Sequence, residues 1–338
     1  MPLDRNESYW LLDDELVGAV QAPKMQELST YPEYDELKGA LAQYAGVTSG
    51  QVLITPGSVT AIEYIARVYA KKEEAILPVP TFYCYESILE SVDAKILPIA
   101  YEEQNGSFVF PLQKTIEALE RDSTKILFLC HPNNPLGCSL SAADISALVA
   151  AARRSKALIV SDEAYFEFST GTTFLPYLSE LPNLIIIRTL SKAFALSGAR
   201  VGYVIAAPEI VKEIEKIILP WPVAYQSVTA ALTLLAQADK VKVRRDAVIA
   251  EREHFIQELR KISGIIVYPS ETNFALVRVP DAARIRDALF AQGIRVALGE
   301  PMSHVPEAKM LLRDTLRIAV PDPESKIYLL EKLREYFH

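Results

Sequence analysis

Arg188-Thr-Leu-Ser-Lys-Ala-Phe-Ala-Leu-Ser-Gly-Ala-Arg200 sets the hydroxyls of Thr189 and Ser191, with Lys192 and Arg200, into one bend, directly after an apolar run over 184–187. That run reads as a buried strand, and a lysine leaving it amid Ser and Thr is poorly placed as a surface charge. Burial lowers an amine's pKa and makes it nucleophilic, so Lys192 is suited to forming a Schiff base beside a bound phosphate. Arg200 offers the planar cationic fork that phosphate recognition favours. Taken alone, the same letters also describe a strand-to-helix turn with an exposed lysine and a salt-bridged arginine.

Other strand ends separate those readings. Ala157-Leu-Ile-Val-Ser-Asp-Glu-Ala-Tyr165 is a second short buried strand that ends in Asp162 and, three residues on, Tyr165. Ligands of open α/β sheets bind outside the carboxyl ends of the strands, where this pair falls. A third strand over 125–130 empties into His131-Pro-Asn-Asn-Pro-Leu-Gly137, a turn-rich loop carrying the amide Asn134. Leu53-Ile-Thr-Pro-Gly-Ser-Val-Thr-Ala-Ile62 reads as a strand, a tight Gly57-Ser58 turn and a helix whose free N–H groups make a phosphate cradle. Each piece alone passes for a cap or a turn former. Together, at strand ends, they point to one phosphate-bearing site.

In this order the pieces resemble a fold-type I pyridoxal 5′-phosphate (PLP) enzyme of the class I/II aminotransferase group. Asn-Asn-Pro-Leu-Gly, Asp-Glu-Ala-Tyr and Ser-Lys-Ala-Phe-Ala-Leu-Ser-Gly-Ala-Arg are most similar to the histidinol-phosphate aminotransferase branch. Asn6-Glu7, Tyr31-Pro32-Glu33, Pro80-Thr81-Phe82-Tyr83 and Leu316-Arg317-Ile318 extend the likeness along nearly the whole chain.

The resemblance implies a role for each group. Lys192 would hold PLP covalently and then move a proton between substrate and cofactor. Asp162 would keep the pyridine nitrogen protonated, while Tyr165 and Asn134 would hydrogen-bond the ring's phenolic oxygen. Phe82 would stack on the ring. Gly57, Ser58, Thr189, Ser191 and Arg200 would hold the cofactor's phosphate. Tyr31 would reach the phosphate of a neighbouring subunit, which implies a homodimer with shared active sites. Arg317, with Asn134 beside it, would grip the acidic end of the substrate. Outside this context Phe82 and Tyr31 read as core aromatics, and Arg317 as one position of a solvated strand face.

Three departures from the branch pattern concern the substrate. Gly293-Ile-Arg-Val-Ala297 has Ala297 where an arginine is usual, with Arg295 two residues earlier. Residues two apart share a strand face, so Arg295 is a candidate substrate residue displaced by about 7 Å. A tyrosine-bearing segment usual ahead of Asn-Glu is not found before Asn6, and Gly57-Ser-Val-Thr60 lacks a usual acidic pair.

The 338 residues exceed the usual size of a single core, half are hydrophobic, and the formal net charge is −8. That charge argues against a nucleic-acid surface, and no apolar run is long enough to span a membrane. The first residues lack a secretory pattern, and Cys84, Cys130 and Cys138 form no spaced framework, so a cytoplasmic setting is expected. The four histidines make no metal-ligand spacing with the cysteines, and no nucleotide-binding glycine fingerprint occurs.

Strand-like runs near 75–78, 95–99, 125–130, 157–161, 184–189 and 201–206 alternate with helical stretches such as 141–155. This predicts an α/β fold, a mainly parallel sheet covered on both faces. Later strands at 265–268, 273–279 and 315–319 predict a smaller α+β domain. The expected division is an N-terminal arm over 1–30 packing on the small domain, a large PLP-binding domain over 31–230, and a small C-terminal domain over 231–338. The expected activity is ping-pong transamination between an amino donor, histidinol phosphate or an amino acid, and a 2-oxo acid. A general or aromatic amino-acid aminotransferase, or a PLP-dependent decarboxylase of a phosphorylated amino acid, uses the same constellation. A regulator built on this fold would need a DNA-binding module, for which a match starting near residue 4 leaves no room.

Overall fold

The computed structural model describes residues 1–8, 18, 25–169 and 171–337. The rest of the expected N-terminal arm, 9–17 and 19–24, lies outside the described residues. The apolar runs form β1 (Val52–Thr55), β2 (Glu74–Val79), β3 (Lys95–Ala100), β4 (Glu102–Gln104), β5 (Ser107–Val109), β6 (Thr124–Cys130), β7 (Leu158–Asp162), β8 (Leu184–Thr189) and β9 (Gly202–Ala206). β10 (Ile266–Val267), β11 (Phe274–Arg278), β12 (Ala297–Leu298) and β13 (Thr315–Ala319) follow.

A seven-stranded sheet runs in the order β1-β9-β8-β7-β6-β2-β3. Its central pairs are parallel, while β9 is antiparallel to both β8 and β1. Inserting one reversed strand leaves β1 running the same way as β8. The carboxyl ends of β1, β6, β7 and β8 and the start of β9 therefore share one edge. Alternate residues of β8 face opposite layers: Ile186 joins a core with Ile159 and Leu127, and Ile185 and Ile187 join one with Val160 and Phe128. Burial on both faces explains why these strands read as continuous apolar runs.

β9 comes close to the loop after β1. A Cβ at Gly202 would lie 2.5 Å from the Gly57 carbonyl carbon and 2.7 Å from the Ser58 nitrogen, so this approach requires glycine.

The second sheet, β10-β11-β13-β12, is antiparallel and has its own core of Phe255, Val277, Leu316 and Leu330. Leu3 is buried in that core. Its N–H donates to Arg295 O at 2.8 Å and its carbonyl accepts from Ala319 N–H at 2.9 Å, which anchors the first residues to the small sheet. A further link joins the two parts: buried Glu86, in the helix Cys84–Ser91, accepts hydrogen bonds from Ser303 Oγ and the His304 N–H. Among the described residues no helix is long and apolar enough to cross a membrane.

Candidate active site

At the shared strand edge lies a cavity of about 300 Å³, lined among others by Asp162, Tyr165, Lys192, Asn134, Phe82 and Arg317. Asp162 closes β7 and is buried. Its Oδ2 accepts from Tyr85 Oη at 3.0 Å and its Oδ1 from the Ala164 N–H at 3.1 Å. Burial nevertheless pushes its pKa up to about 6, since two neutral donors replace water only in part. Such a carboxylate gains most from a cation placed against it.

Lys192 leaves the bend after β8. Its Nζ donates to the carbonyls of Arg5 at 3.3 Å and Asn6 at 3.2 Å. Burial, and then the charges of Arg317 and Arg200, lower its pKa to about 8. An amine with this value is partly neutral near pH 7 and is a competent nucleophile and base.

Across the edge, Gly57 caps the helix Ser58–Ile65 with φ +83°, and a side chain there would overlap the Arg200 guanidinium. Arg200 Nη1 donates to Ser191 Oγ at 3.4 Å, and Thr189 Oγ1 donates to Ser191 Oγ at 3.0 Å. A helix N-terminus, two hydroxyls and a guanidinium thus converge, as a phosphate group needs.

On the opposite wall, Arg317 is buried in β13, its Nη1 donating to Asn134 Oδ1 and its Nη2 to Asp4 O, each at 2.6 Å. Its Nε is buried without a hydrogen-bond partner, and it forms no ion pair among the described residues. A buried guanidinium without a carboxylate is costly unless an anion completes it. Tyr165 accepts at its hydroxyl from Asn6 Nδ2 at 3.0 Å, and Phe82 reaches the cavity with its ring tilted 65° to Tyr83.

Gly57 does not itself line the cavity but sits against Arg200, which does, and two further expected residues lie away from it. Arg295 is not on a strand with Ala297: β12 holds only Ala297 and Leu298, and Arg295 forms an isolated bridge with Pro2. Its backbone is used in tethering residues 1–3, and its exposed side chain approaches Asp4 Oδ1 at 3.6 Å without lining the cavity. Tyr31 is 68% exposed and stacks on Trp221 with ring centroids 3.9 Å apart, away from this subunit's own cavity.

Other residues at the site were not anticipated. Tyr85 follows Phe82 by three residues, a helical spacing that signals one side of a turn. Asp4 and Arg5 line the cavity directly before the quoted Asn6-Glu7. Behind the site, Arg188 Nε and Nη2 donate to Glu163 Oε2 at 3.1 and 2.8 Å, which ties the end of β8 to the residue after β7.

The donor set fits PLP. A desolvated amine, a buried carboxylate that gains from a facing cation, and a glycine-lined anion cradle surround one cavity.

The comparisons with known proteins agree. The family model "Aminotransferase class I and II" matches residues 2–333. The histidinol-phosphate aminotransferase of Thermoanaerobacter pseudethanolicus is 34% identical over 337 residues, 98% of this chain and 92% of that one. The histidinol-phosphate aminotransferase of Clostridium acetobutylicum shares the fold with a TM-score of 0.89 at 22% identity, covering 99% and 98% of the two chains. The Sinorhizobium meliloti histidinol-phosphate aminotransferase, solved in complex with PLP, aligns with a TM-score of 0.86 at 25% identity over 99% of this chain and 90% of that one.

Proposed function

Because this chain belongs to the class I and II aminotransferase family and is a PLP-dependent aminotransferase, we propose that it transfers the amino group of histidinol phosphate, or of an amine ending in a like anion, to a 2-oxo acid. The observation that carries the substrate reading is the buried Arg317, whose Nε lacks a partner while it faces the same cavity as Lys192. Bound PLP supplies the electron sink that stabilises the carbanion left when the substrate loses its α-proton.

In this reading Lys192 would hold the cofactor through Nζ, and its amine, with a pKa lowered to about 8, would serve as the base that takes the substrate's α-proton. Asp162 would hold the cofactor's pyridine nitrogen and keep it protonated. Its raised pKa favours that pairing, because an added cation offsets the cost of burying the carboxylate. Gly57, Ser58, Thr189, Ser191 and Arg200 receive the cofactor's phosphate. Asn134, with Oδ1 turned to Arg317, has its amide N–H for the phenolic oxygen, which Tyr165 also reaches. Phe82 covers the ring. Arg317 binds the acidic end of the substrate.

The same reading takes the active unit as a homodimer. Stacked Tyr31 and Trp221, with Leu219 exposed two residues earlier, form an apolar surface that a second copy would cover. The division into an arm over 1–30 and parts over 31–230 and 231–338 is part of this reading, supported by the separate core of the second sheet, although Val241, Val248 and Phe274 pack into the core of the large sheet. Free, unspaced cysteines suit a cytoplasmic setting.

The test loads the protein with PLP and adds histidinol phosphate, glutamate and aromatic amino acids in turn. Conversion to the pyridoxamine form is followed by absorbance and carbon dioxide is measured in the same samples. Conversion with histidinol phosphate and without gas release is expected. Conversion by amino acids alone overturns the substrate reading, and carbon dioxide release overturns transamination as the main outcome.

A further inference from the structure

Resting on the aminotransferase reading, we propose that Arg5 is a specificity-determining residue: it supplies the second cation at the Arg317 end of the cavity and selects amines that end in a phosphate dianion over those that end in a carboxylate. A single guanidinium matches one carboxylate in charge. A phosphate dianion leaves one negative charge uncompensated and needs a second cationic partner.

The other cations near the site are committed. Arg200 donates to Ser191 and Ser197 beside the glycine cradle, and Lys192 is held by two backbone carbonyls. Arg295 does not line the cavity, and its guanidinium approaches the Asp4 carboxylate. The facing strand offers nothing, because Ala297 is the register partner of Arg317 and so shares its sheet face.

Arg5 lines the cavity, and its guanidinium makes no hydrogen bond or ion pair among the described residues. It is adjacent in sequence to Asp4, whose carbonyl accepts from Arg317 Nη2 at 2.6 Å. The charges of Arg5 and Arg317 both act on the Tyr83 hydroxyl, which also lines the cavity. The backbone under Arg5 is pinned on both sides: Leu3 to Arg295 and Ala319, and Asn6 to Asn273 Nδ2 at 3.0 Å. Its cation therefore starts from a fixed base. Besides Asp162, the carboxylates of Asp4 and Glu7 line the cavity. Arg295 approaches that of Asp4, and the charge of Glu7 acts on Lys192.

The test uses the PLP-loaded, full-length protein and its Arg5→Gln and Arg5→Lys variants. Calorimetry measures binding of propyl phosphate and of butyrate, unreactive probes for the two kinds of acidic end. The wild type should favour propyl phosphate, and Arg5→Gln should reduce that preference about 10- to 100-fold, the usual worth of one charge-assisted hydrogen bond. Arg5→Lys should restore part of it. The ratio of kcat/KM for histidinol phosphate to that for glutamate should fall in parallel. An unchanged probe preference in Arg5→Gln, or equal loss for both probes, overturns the role of Arg5. Absence of amino transfer from any donor in the wild type overturns the aminotransferase reading instead, and the probe measurement still decides Arg5.

Discussion

Tyr85 donates its phenolic hydrogen to Asp162 Oδ2 at 3.0 Å, tying the first turn of the helix Cys84–Ser91 to the end of β7. That hydrogen bond lowers the pKa of Asp162 against the larger upward push of burial. Tyr85→Phe should raise the pKa of Asp162 further above its present value near 6. The carboxylate then takes up its proton at higher pH. The acid limb of the kcat/KM profile should move upward by up to about one pH unit, with roughly a tenfold loss of rate near that limb. A profile that keeps its shape would leave Tyr85 a packing residue only.

Lys192→Ala should abolish turnover and remove the covalent PLP adduct trapped by borohydride. Peptide mapping of the reduced wild type checks the assignment directly. A labelled peptide that contains a different lysine refutes it.

The lowered pKa of Lys192, about 8, also predicts a pH dependence for cofactor capture. Only the neutral amine attacks, so the neutral fraction and the rate of PLP uptake by apo-protein should climb as pH rises through about 8 and level off above it. Stopped-flow absorbance measures this. A rate still climbing steeply at pH 10 would indicate an ordinary solvated lysine.

Glu163 and Arg188 are both buried, and Glu163 also accepts from Thr173 Oγ1 and the Phe174 N–H. Glu163→Gln leaves a buried guanidinium without its counter-charge. Denaturant melts should show a loss of about 3–5 kcal/mol, the usual effect of breaking a buried pair by removing one partner.

If the Tyr31–Trp221 surface is covered by a second copy, light scattering should return twice the chain mass. Tyr31→Ala should then weaken PLP retention without changing the monomer's fold. A fully active monomer at assay concentration excludes the shared site.

Much of this site could be read from the letters because its residues sit directly after apolar runs. Asp162 ends, and Lys192 and Asn134 follow, a strand of wholly or nearly wholly buried residues, so the apolar runs place them at one sheet edge. Strand direction could not be read, since β9 is as apolar as the mutually parallel strands of the sheet and carries no mark of its reversal. The hairpin of β4 and β5 was overlooked despite a usable signal: Asn105-Gly106, with φ of 51° and 72°, is a tight-turn pair. Arg295 was misplaced for a different reason. Its backbone is engaged by residues 1–3, almost 300 positions away in sequence, and no local pattern reports such a contact.

Glu86, which grips Ser303 and His304, is the immediate neighbour of Tyr85, which grips Asp162. One peptide unit joins the two holds, and no loop lies between them to absorb movement. A shift of the segment around 303–304 must therefore be felt at the Tyr85 hydroxyl, and through it in the proton affinity of Asp162. Seating of that C-terminal segment and acidity at the floor of the cavity are linked variables: the free energy by which seating changes the proton affinity of Asp162 equals that by which protonation changes seating.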